Sequence, residues 1–521
     1  MSAVTITGAH VLSPASGRRR AEGSRGGQPG LPPLAMAGLA AVSLAALSLL
    51  LPSTPTYDPW AWIVWGREVA DLALDTRYGP SWKPLPVLFT TPFSLFGPAA
   101  PALWLLVARA GALLGLFAAF VLGRRLGGSF AGGLAAVLLA LAGGYLRGAA
   151  LGYSEGLLAA SVLFGVERHL AGRRGQALAL GFAAGLLRPE AWPFLGLYAL
   201  FVLVRERRLR VLAVALMALL PLLWLGPELW GSGDALRAAS RAQDPTLLSP
   251  AFAEQPWLAV LDRAASMTPP PARVGLVLTV VIAVAALARG PGSATHASSD
   301  AGVLAATVCD SGRPAALLAL AAAGAAWLGL VAVMTELGYA GNSRYLAMPI
   351  ALGCLVGAIG LAWAARATAH ALGRGSAATP AAGRSAGASD ARPAVILASL
   401  AVALVCVPFL LEPLDEVVGD AREVGDEARL NENLPETIAR AGGRDRVRAC
   451  GRAYATALQV PVVAWHLGVP TGKVGIEPRA PGVLFRGPPG LQPPDAPALA
   501  PSAGGLRPVA RVDGWTVSVA C

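Results

Sequence analysis

Two short segments near the start of the chain carry residues that could perform group transfer. The first reads Tyr57-Asp58-Pro59-Trp60 and the second reads Ser81-Trp82-Lys83-Pro84-Leu85-Pro86. A carboxylate such as that of Asp58 can act as a general base toward an acceptor hydroxyl. The ammonium group of Lys83 is a compact point charge that suits a phosphate or pyrophosphate.

Both residues also have a purely structural explanation. Asp is a favoured helix N-cap and Pro a favoured first helical residue, so Asp58-Pro59 also fits a helix start. Lys83 also fits an interfacial anchor whose stem lies along apolar surface while its ammonium group reaches water. Lys83 and Lys473 are the only lysines in this arginine-rich chain, which draws attention to Lys83.

The elements that position these residues are membrane spans. The chain of 521 residues is 55% hydrophobic and only 14% charged, whereas soluble domains average about 25% charged residues. A spanning helix needs about 20 mostly apolar residues. The fifth and sixth of the predicted runs are short and nearly continuous, so they could be re-entrant or tilted. The sequence predicts eleven spans, near 34–52, 99–122, 129–147, 153–168, 176–187, 191–204, 211–230, 274–289, 314–334, 346–365 and 393–411.

The basic residues predict the orientation of these spans. Arginine-rich loops are retained in the cytoplasm, which places the N-terminus inside the cell and the C-terminus outside the plasma membrane. The formal charge of +11 therefore reflects topology, and no basic, aromatic-interleaved soluble segment indicates nucleic-acid binding. The outside face is then built from four segments, 53–98, 231–273, 334–345 and 412–521.

The sequence predicts three regions. Residues 1–33 form a disordered, basic cytoplasmic N-terminus, residues 34–411 form the membrane domain, and residues 412–521 form a small extracytoplasmic α/β domain. The linkers 290–312 and 370–392 have compositions typical of disorder. In the tail, we predict a helix over 412–432, a strand at 446–450, a helix over 454–467 and a strand over 509–520. Cys450 and Cys521 each end a strand-like segment in an oxidising compartment, which predicts a disulfide between them.

The first outside loop resembles that of the GT-C superfamily of glycosyltransferases. The shared features are an acidic residue just after the first span, Asp58, and an aromatic-Lys-Pro-Leu segment before the second, at 82–85. The resemblance is greatest to the branch that includes protein O-mannosyltransferases and the lipid A aminoarabinose transferase, and it covers roughly residues 34–365. It implies a polyprenyl-phosphate-linked sugar donor and an active site on the non-cytoplasmic face. By resemblance, Asp58 is the catalytic acidic residue and Lys83 contacts the lipid phosphate.

Three further elements resemble parts of the same superfamily. Glu155 resembles its second acidic element near the catalytic site, although Ser154-Glu155 also fits a helix start. Arg188 and Glu190 resemble its Arg-Pro-acid element, although they also fit a tight turn in which the two side chains pair. Arg344 and Tyr345 resemble its Arg-Tyr pair, although Arg344 also fits an anchor in the headgroup region. An arginine is suited to grip a phosphate with two hydrogen bonds.

Aromatic residues accompany the two opening segments. The stretch 57–74 predicts a helix in the membrane interface, with Trp60, Trp62 and Trp65 forming an aromatic belt. Trp60 and Trp82 are thus expected to support the site. Arg109 lies within the second predicted span, where an ionisable residue indicates either a functional role or helix pairing.

Together these features predict an α-helical integral membrane glycosyltransferase with a GT-C-like fold. It would transfer a sugar, with inversion, from a polyprenyl-phosphate donor to a cell-envelope acceptor, either glycan, lipid or protein. Asp58 and Glu155 are the candidate catalytic residues, and Lys83, Arg188 and Arg344 are the candidate phosphate ligands. No cofactor and no metal is expected, because the paired acids frequent in the family's first loop are absent here. The alternatives are a transporter or flippase of a lipid-linked saccharide, and a non-catalytic envelope scaffold.

Overall fold

Apolar helices account for most of the chain, as a membrane protein requires. The computed structural model describes residues 33–245, 249–289, 313–375, 391–487 and 505–521. The predictions of disorder for the N-terminus and the two linkers concern residues that lie largely outside these ranges.

Nineteen α-helices occur within the described residues, joined by short turns and 3₁₀ segments. They are α1 Pro33–Ser48, α2 Tyr57–Ala70, α3 Pro84–Phe93, α4 Ala100–Gly127, α5 Ser129–Ala140, α6 Tyr145–Ala150, α7 Glu155–Leu170, α8 Arg174–Leu187, α9 Trp192–Arg205, α10 Arg210–Ser232, α11 Arg237–Ala242, α12 Pro256–Met267, α13 Pro270–Arg289, α14 Arg313–Glu336, α15 Ala347–Gly375, α16 Ala391–Cys406, α17 Pro408–Arg440, α18 Gly443–Ala449 and α19 Val460–Leu467.

The structure supports a multi-pass membrane protein but has fewer full-length spans than predicted. In the described residues, five helical segments are long and apolar enough to cross a membrane. A sixth is possible if α16 and α17, bent by 55° at their junction, form one broken span. The other predicted spans coincide with helices of 12 to 16 residues, which are shorter than a full span requires. The count of eleven therefore stays a prediction.

Small residues let α15, the central helix of the bundle, pack closely against α13. Helix α15 is the most buried of the long apolar helices. A Cβ atom added at Gly275 of α13 would lie only 2.1 Å from the carbonyl oxygen of Gly357 in α15. Glycine at this crossing therefore lets the two backbones pack directly, as small residues do between membrane helices.

The tail forms a five-stranded sheet after α17. Its strands are β1 Arg452–Tyr454, β2 Val474–Gly475, β3 Gly482–Arg486, β4 Arg507–Val512 and β5 Trp515–Ala520, in the spatial order β2-β1-β3-β5-β4. The predicted strand at 446–450 is wrong, because these residues belong to α18 and its C-cap, which follow the left-handed Gly442. The predicted strand over 509–520 is two antiparallel strands that turn at Asp513-Gly514.

Cys450 and Cys521 form a disulfide across the two ends of the tail domain. The bridge closes a loop with a sequence separation of 71 residues. Cys450 follows α18 rather than ending a strand, and Cys521 directly follows β5.

Removing this disulfide should destabilise the tail domain. Closing a loop of this length restricts the unfolded chain by about 4 kcal/mol in the chain-entropy treatment. We expect the Cys450→Ala/Cys521→Ala variant to unfold its tail at lower denaturant concentration, as followed by limited proteolysis in detergent. A reducing agent should shift the wild type toward the variant and leave the variant unchanged. Mass spectrometry that finds both thiols free in native protein would contradict the assignment.

The tail domain packs on α2, the helix that carries Asp58. The guanidinium group of Arg67 donates to the carbonyl oxygen of Val469 at 2.9 Å and lies 5.3 Å from the ring centre of Trp465. On the same helix, the ring of Trp60 lies 6.2 Å from that of Trp465 and 5.7 Å from that of His466. The first loop and the tail therefore share one apolar core.

Candidate functional site

A cavity of about 990 Å³ lies where the first loop, the ends of several helices and the tail domain meet. Every residue that the sequence singled out for the site lines this cavity. Those residues are Asp58, Trp60, Trp82, Lys83, Glu155, Arg188, Glu190, Arg344 and Tyr345. They come from five separate stretches of sequence, so their meeting is a result of the fold.

Asp58 lies in the first turn of α2 and is buried, with 5% of its surface exposed. The N-cap position belongs to Thr56, so the interpretation of Asp58 as a helix cap is wrong. A carboxylate in the first turn is nonetheless stabilised by the positive end of the helix dipole. Its Oδ2 accepts a hydrogen bond from the guanidinium group of Arg344, and the two side chains form an ion pair.

Glu155 is the centre of a second group of charges. It begins α7, and its Oε1 pairs with the guanidinium group of Arg188. The Nζ atom of Lys83 lies 3.9 Å from the same Oε1. Arg188 therefore pairs with Glu155 rather than with its neighbour Glu190, which corrects the simpler interpretation of the Arg-Pro-Glu element as a self-paired turn.

Lys83 does not reach water, so it is not an interfacial anchor. Only 6% of its surface is exposed, and its Nζ has no hydrogen-bond acceptor among the described residues. The ammonium group lies 4.9 Å from the ring centre of Trp62, a favourable arrangement for a cation. Burial, the largest cause, and the nearby Arg188 together lower the pKa of Lys83 to about 7, although Glu155 opposes this shift.

Trp82 holds the segment that carries Lys83. Its backbone N–H donates to Glu228 at 3.3 Å, and its ring N–H donates to the carbonyl oxygen of Leu223 at 3.1 Å. Glu228 is fully buried and receives two hydrogen bonds from Arg237. This chain of contacts fixes Lys83 from the side of α10, which sequence alone did not indicate.

The tryptophans of α2 do not form an aromatic belt facing lipid. Trp60, Trp62 and Trp65 are all buried, because the tail domain, α4 and the segment before α3 cover them. Trp62 packs edge-on against Trp104 at 5.5 Å, and Trp65 packs against Trp82 at 5.6 Å. Their role is to make α2 a rigid support for Asp58.

Aromatic rings also support the two arginines. The guanidinium carbon of Arg344 lies 4.8 Å from the ring centre of Tyr153, and that of Arg188 lies 4.7 Å from the ring centre of Tyr345. Sequence reasoning gave no role to Tyr153, although its place two residues before Glu155 was a usable signal. It also gave no site role to Trp62, four residues after Asp58 and thus on the same side of α2.

Several buried polar atoms around these charges have no hydrogen-bond partner among the described residues. They are the Nζ of Lys83, the Oε2 of Glu155, the Nε of Arg188 and the Oε2 of Glu190. Buried polar groups are normally satisfied, so unsatisfied donors and acceptors in a cavity wall fit a place where a polar ligand binds. In the described part of the chain, no three His, Cys, Asp or Glu side chains are grouped to hold a metal ion.

Arg109 has a structural role near the start of the first loop. Its guanidinium group donates to the carbonyl and the hydroxyl of Ser48 and to the carbonyl of Pro52. It thus caps the end of α1 and fixes the start of the loop that leads to Asp58, which favours helix pairing over a direct functional role.

Comparison with known proteins found similarity only at the level of structure. No family model matches the chain, and no curated protein matches it by sequence. ArnT from Cupriavidus metallidurans bound to undecaprenyl phosphate matches with 14% identity and a TM-score of 0.46, over 93% of this chain and 97% of that one. The apo state of the same protein matches over the same shares with a TM-score of 0.44.

A second similar structure is the archaeal oligosaccharyltransferase AglB from Archaeoglobus fulgidus in complex with an inhibitory peptide and a dolichol-phosphate. It matches with 14% identity and a TM-score of 0.40, over 85% of this chain and 64% of that one. A function for this chain therefore has to be inferred from the residues of the cavity. The structures similar to this chain thus include ArnT, the lipid A aminoarabinose transferase, and AglB, both members of the GT-C superfamily.

Proposed function

We propose that the chain is a membrane glycosyltransferase that transfers a sugar from a polyprenyl-phosphate donor to an extracytoplasmic acceptor with inversion. The observation that carries the proposal is a set of three cations and two carboxylates, each buried or half-buried, that line one cavity. Lys83, Arg188 and Arg344 supply positive charge for a phosphate group, and Asp58 and Glu155 keep these cations in place.

In the proposed reaction, the donor phosphate binds near Lys83, Arg188 and Arg344. The acceptor hydroxyl attacks the anomeric carbon of the sugar from the face opposite the phosphate. A new bond forms between that oxygen and carbon, and the bond from the carbon to the phosphate oxygen breaks with its electron pair. The hydroxyl proton passes to the carboxylate of Asp58, and the leaving polyprenyl phosphate carries the negative charge.

The cations act most strongly at the moment when charge develops on the leaving phosphate. Fixed charges in a site shielded from water stabilise such a transition state without reorganising. The Nζ atom of Lys83 supports this role, because it is a buried donor that has no hydrogen-bond acceptor among the described residues. Glu155 acts as a positioning residue in this scheme, because it contacts Arg188 and Lys83 rather than a reacting atom.

The function is tested with the purified protein in proteoliposomes that contain radiolabelled polyprenyl-phosphate mannose, glucose or arabinose. With an envelope extract as acceptor, the proposal expects one donor to give labelled product and free polyprenyl phosphate. NMR of the product should show the anomeric configuration opposite to that of the donor. Movement of intact donor between leaflets without bond cleavage would instead establish the flippase alternative. No reaction and no movement with any donor would favour a scaffold.

Donor binding should weaken as pH rises above about 7. The donor is a phosphodiester and keeps its charge in this range, whereas Lys83, with its pKa near 7, loses its charge. A bound anion raises the pKa of Lys83, so the donor binds more tightly to the protonated form. The affinity for the donor should therefore fall by up to about tenfold per pH unit above 7. Equilibrium binding of labelled donor between pH 6 and 9, without acceptor, measures the slope.

The matched variants for this experiment are Lys83→Arg and Lys473→Arg. Arginine keeps its charge throughout the range, so Lys83→Arg should flatten the profile. Lys473 is the other lysine of the chain and is exposed, so Lys473→Arg should keep the slope of the wild type. An unchanged slope in Lys83→Arg would show that Lys83 is not the titrating phosphate ligand.

A further inference from the structure

The tail helix α17 presents an acidic face to the cavity. We define this face by Glu416, Asp420 and Glu427, all of which line the cavity. Their spacings of four and seven residues place them along one side of the helix. None of the site residues predicted from sequence lies on this helix, so the face adds a wall that the proposed phosphate site does not use.

The acidic face lies beside Asp58. The Glu427 carboxylate accepts a hydrogen bond from Thr56, two residues before Asp58. It also lies close enough to Tyr153 to act on it electrostatically, and the ring of Tyr153 lies under Arg344. One helical turn on, the side-chain amide of Asn431 donates to the hydroxyl of Thr54 at 2.8 Å.

The phosphate end of the cavity lies elsewhere. The charges that act on Lys83 are those of Arg188, Glu155, Arg344 and Asp58, and none of them belongs to α17. The cavity therefore has a basic end at Lys83 and Arg188 and an acidic wall on α17, beside the start of the helix that carries Asp58. In a transfer by inversion, donor phosphate and acceptor lie on opposite sides of the sugar, so the wall beside the base is the acceptor side.

This wall carries net negative charge. Its cation is Arg147 of α6, which lies 3.5 Å from Asp420 and 3.1 Å from Glu423. Arg147 also acts electrostatically on Glu427, so it faces three carboxylates, those of Asp420, Glu423 and Glu427. An anionic acceptor would have to approach more negative charge than Arg147 compensates.

A buried amide of the tail domain lines the same cavity. Gln459, just before α19, lines the cavity with only 4% of its surface exposed. Its Nε2 has no hydrogen-bond partner among the described residues. A buried donor without a partner is costly, and together with the neighbouring carboxylates it matches the donors and acceptors of a sugar hydroxyl.

We propose that this wall, made of the acidic face and Gln459, binds the acceptor and selects an uncharged or amine-bearing oligosaccharide over an anionic one. The identification of the bound sugar as an acceptor rests on the proposed function. Binding of the sugar to this wall can be tested without any donor. Coulomb repulsion from two nearby carboxylates at the rim of a protein should weaken an anionic ligand by about tenfold or more.

The test uses three tetrasaccharides of equal length and the wild-type protein in nanodiscs without donor. They are neutral maltotetraose, amine-bearing chitosan tetramer and carboxylate-bearing tetragalacturonate, and calorimetry at low salt gives each Kd. We expect the neutral and amine-bearing sugars to bind at least tenfold more tightly than tetragalacturonate. The Glu416→Gln/Glu427→Gln variant should remove this preference, and Gln459→Leu should weaken all three.

The matched control is Asp426→Asn/Glu436→Gln on the same helix, where both residues are exposed and pair with arginines of α17. It should keep the preference of the wild type. Equal or tighter binding of tetragalacturonate by the wild type, or no binding of any of the three sugars, would overturn the inference. If the preference is found but no labelled donor reacts, the proposed function fails while the binding site stands.

Discussion

Asp58→Asn should abolish sugar transfer while leaving donor binding intact. Asparagine occupies nearly the same volume but cannot accept the hydroxyl proton, and loss of a general base costs typically 10²–10⁴-fold in rate. The substitution also removes the counter-charge of Arg344, which leaves this guanidinium group available to the phosphate. We therefore expect kcat to fall by about three orders of magnitude and the Kd of the donor to stay equal or decrease.

The matched control for this prediction is Asp71→Asn. Asp71 follows the same helix, is exposed and does not line the cavity, so transfer should stay at the level of the wild type. Single-turnover transfer from labelled donor and equilibrium donor binding separate the two effects. Transfer by Asp58→Asn within threefold of the wild-type rate would refute its role as base.

Glu155→Gln should give the largest loss of stability among conservative changes in the cavity. Glu155 is the shared partner of Arg188 and Lys83, and all three side chains are nearly inaccessible to solvent. Removing one member of a buried ion pair leaves an uncompensated charge and costs about 3–5 kcal/mol. We expect a marked drop in the midpoint of thermal unfolding, measured in detergent by loss of the monodisperse species.

A second substitution tests the cause of that loss. The double variant Glu155→Gln/Arg188→Met removes the stranded charge of Arg188 and should recover part of the stability, although not the activity. The control Glu436→Gln breaks an exposed pair with Arg440, which should cost less than about 1 kcal/mol. A double variant that is no more stable than Glu155→Gln would show that the loss comes from packing instead of charge.

The identity of the cavity residues could be predicted because membrane sequences make polar groups conspicuous. Asp58, Lys83, Glu155, Arg188 and Arg344 all stand at the ends of apolar runs, where ionisable groups are costly unless they have a function. The arginine pattern placed them on one face, and proximity followed once the helices were packed. These residues could therefore be singled out without knowing the distances between them.

The partners of these residues could not be predicted. The sequence offers Arg188 a carboxylate two positions away at Glu190, yet its ion pair is with Glu155, which lies on another helix. Likewise, the ion pair between Asp58 and Arg344 joins residues 286 positions apart. Hydropathy and loop charge specify which side of the membrane a residue faces, but the register between helices depends on packing of small residues such as Gly275 and Gly357.

The tail was the least predictable region for the same reason. The tryptophans of α2 have the composition of an interfacial belt, but Trp82, Trp104 and, for Trp60, the tail domain cover them and make them part of a core. The acidic face of α17 has the composition of a solvated helix face, and only the packing of α17 brings its carboxylates to the cavity. For Trp60 and for the acidic face, the decisive neighbour lies hundreds of residues away.

The docking of the tail on α2 also has a consequence for how the protein matures. The hydrogen bond from Arg67 to Val469 joins residues separated by 402 positions, and the disulfide of the tail joins Cys450 to Cys521. During synthesis, the helix that carries Asp58 is therefore made first and receives its final packing last. A nascent chain can insert its membrane helices and still lack a finished cavity wall. Completion of the cavity wall thus depends on residues that are synthesised hundreds of positions after Asp58.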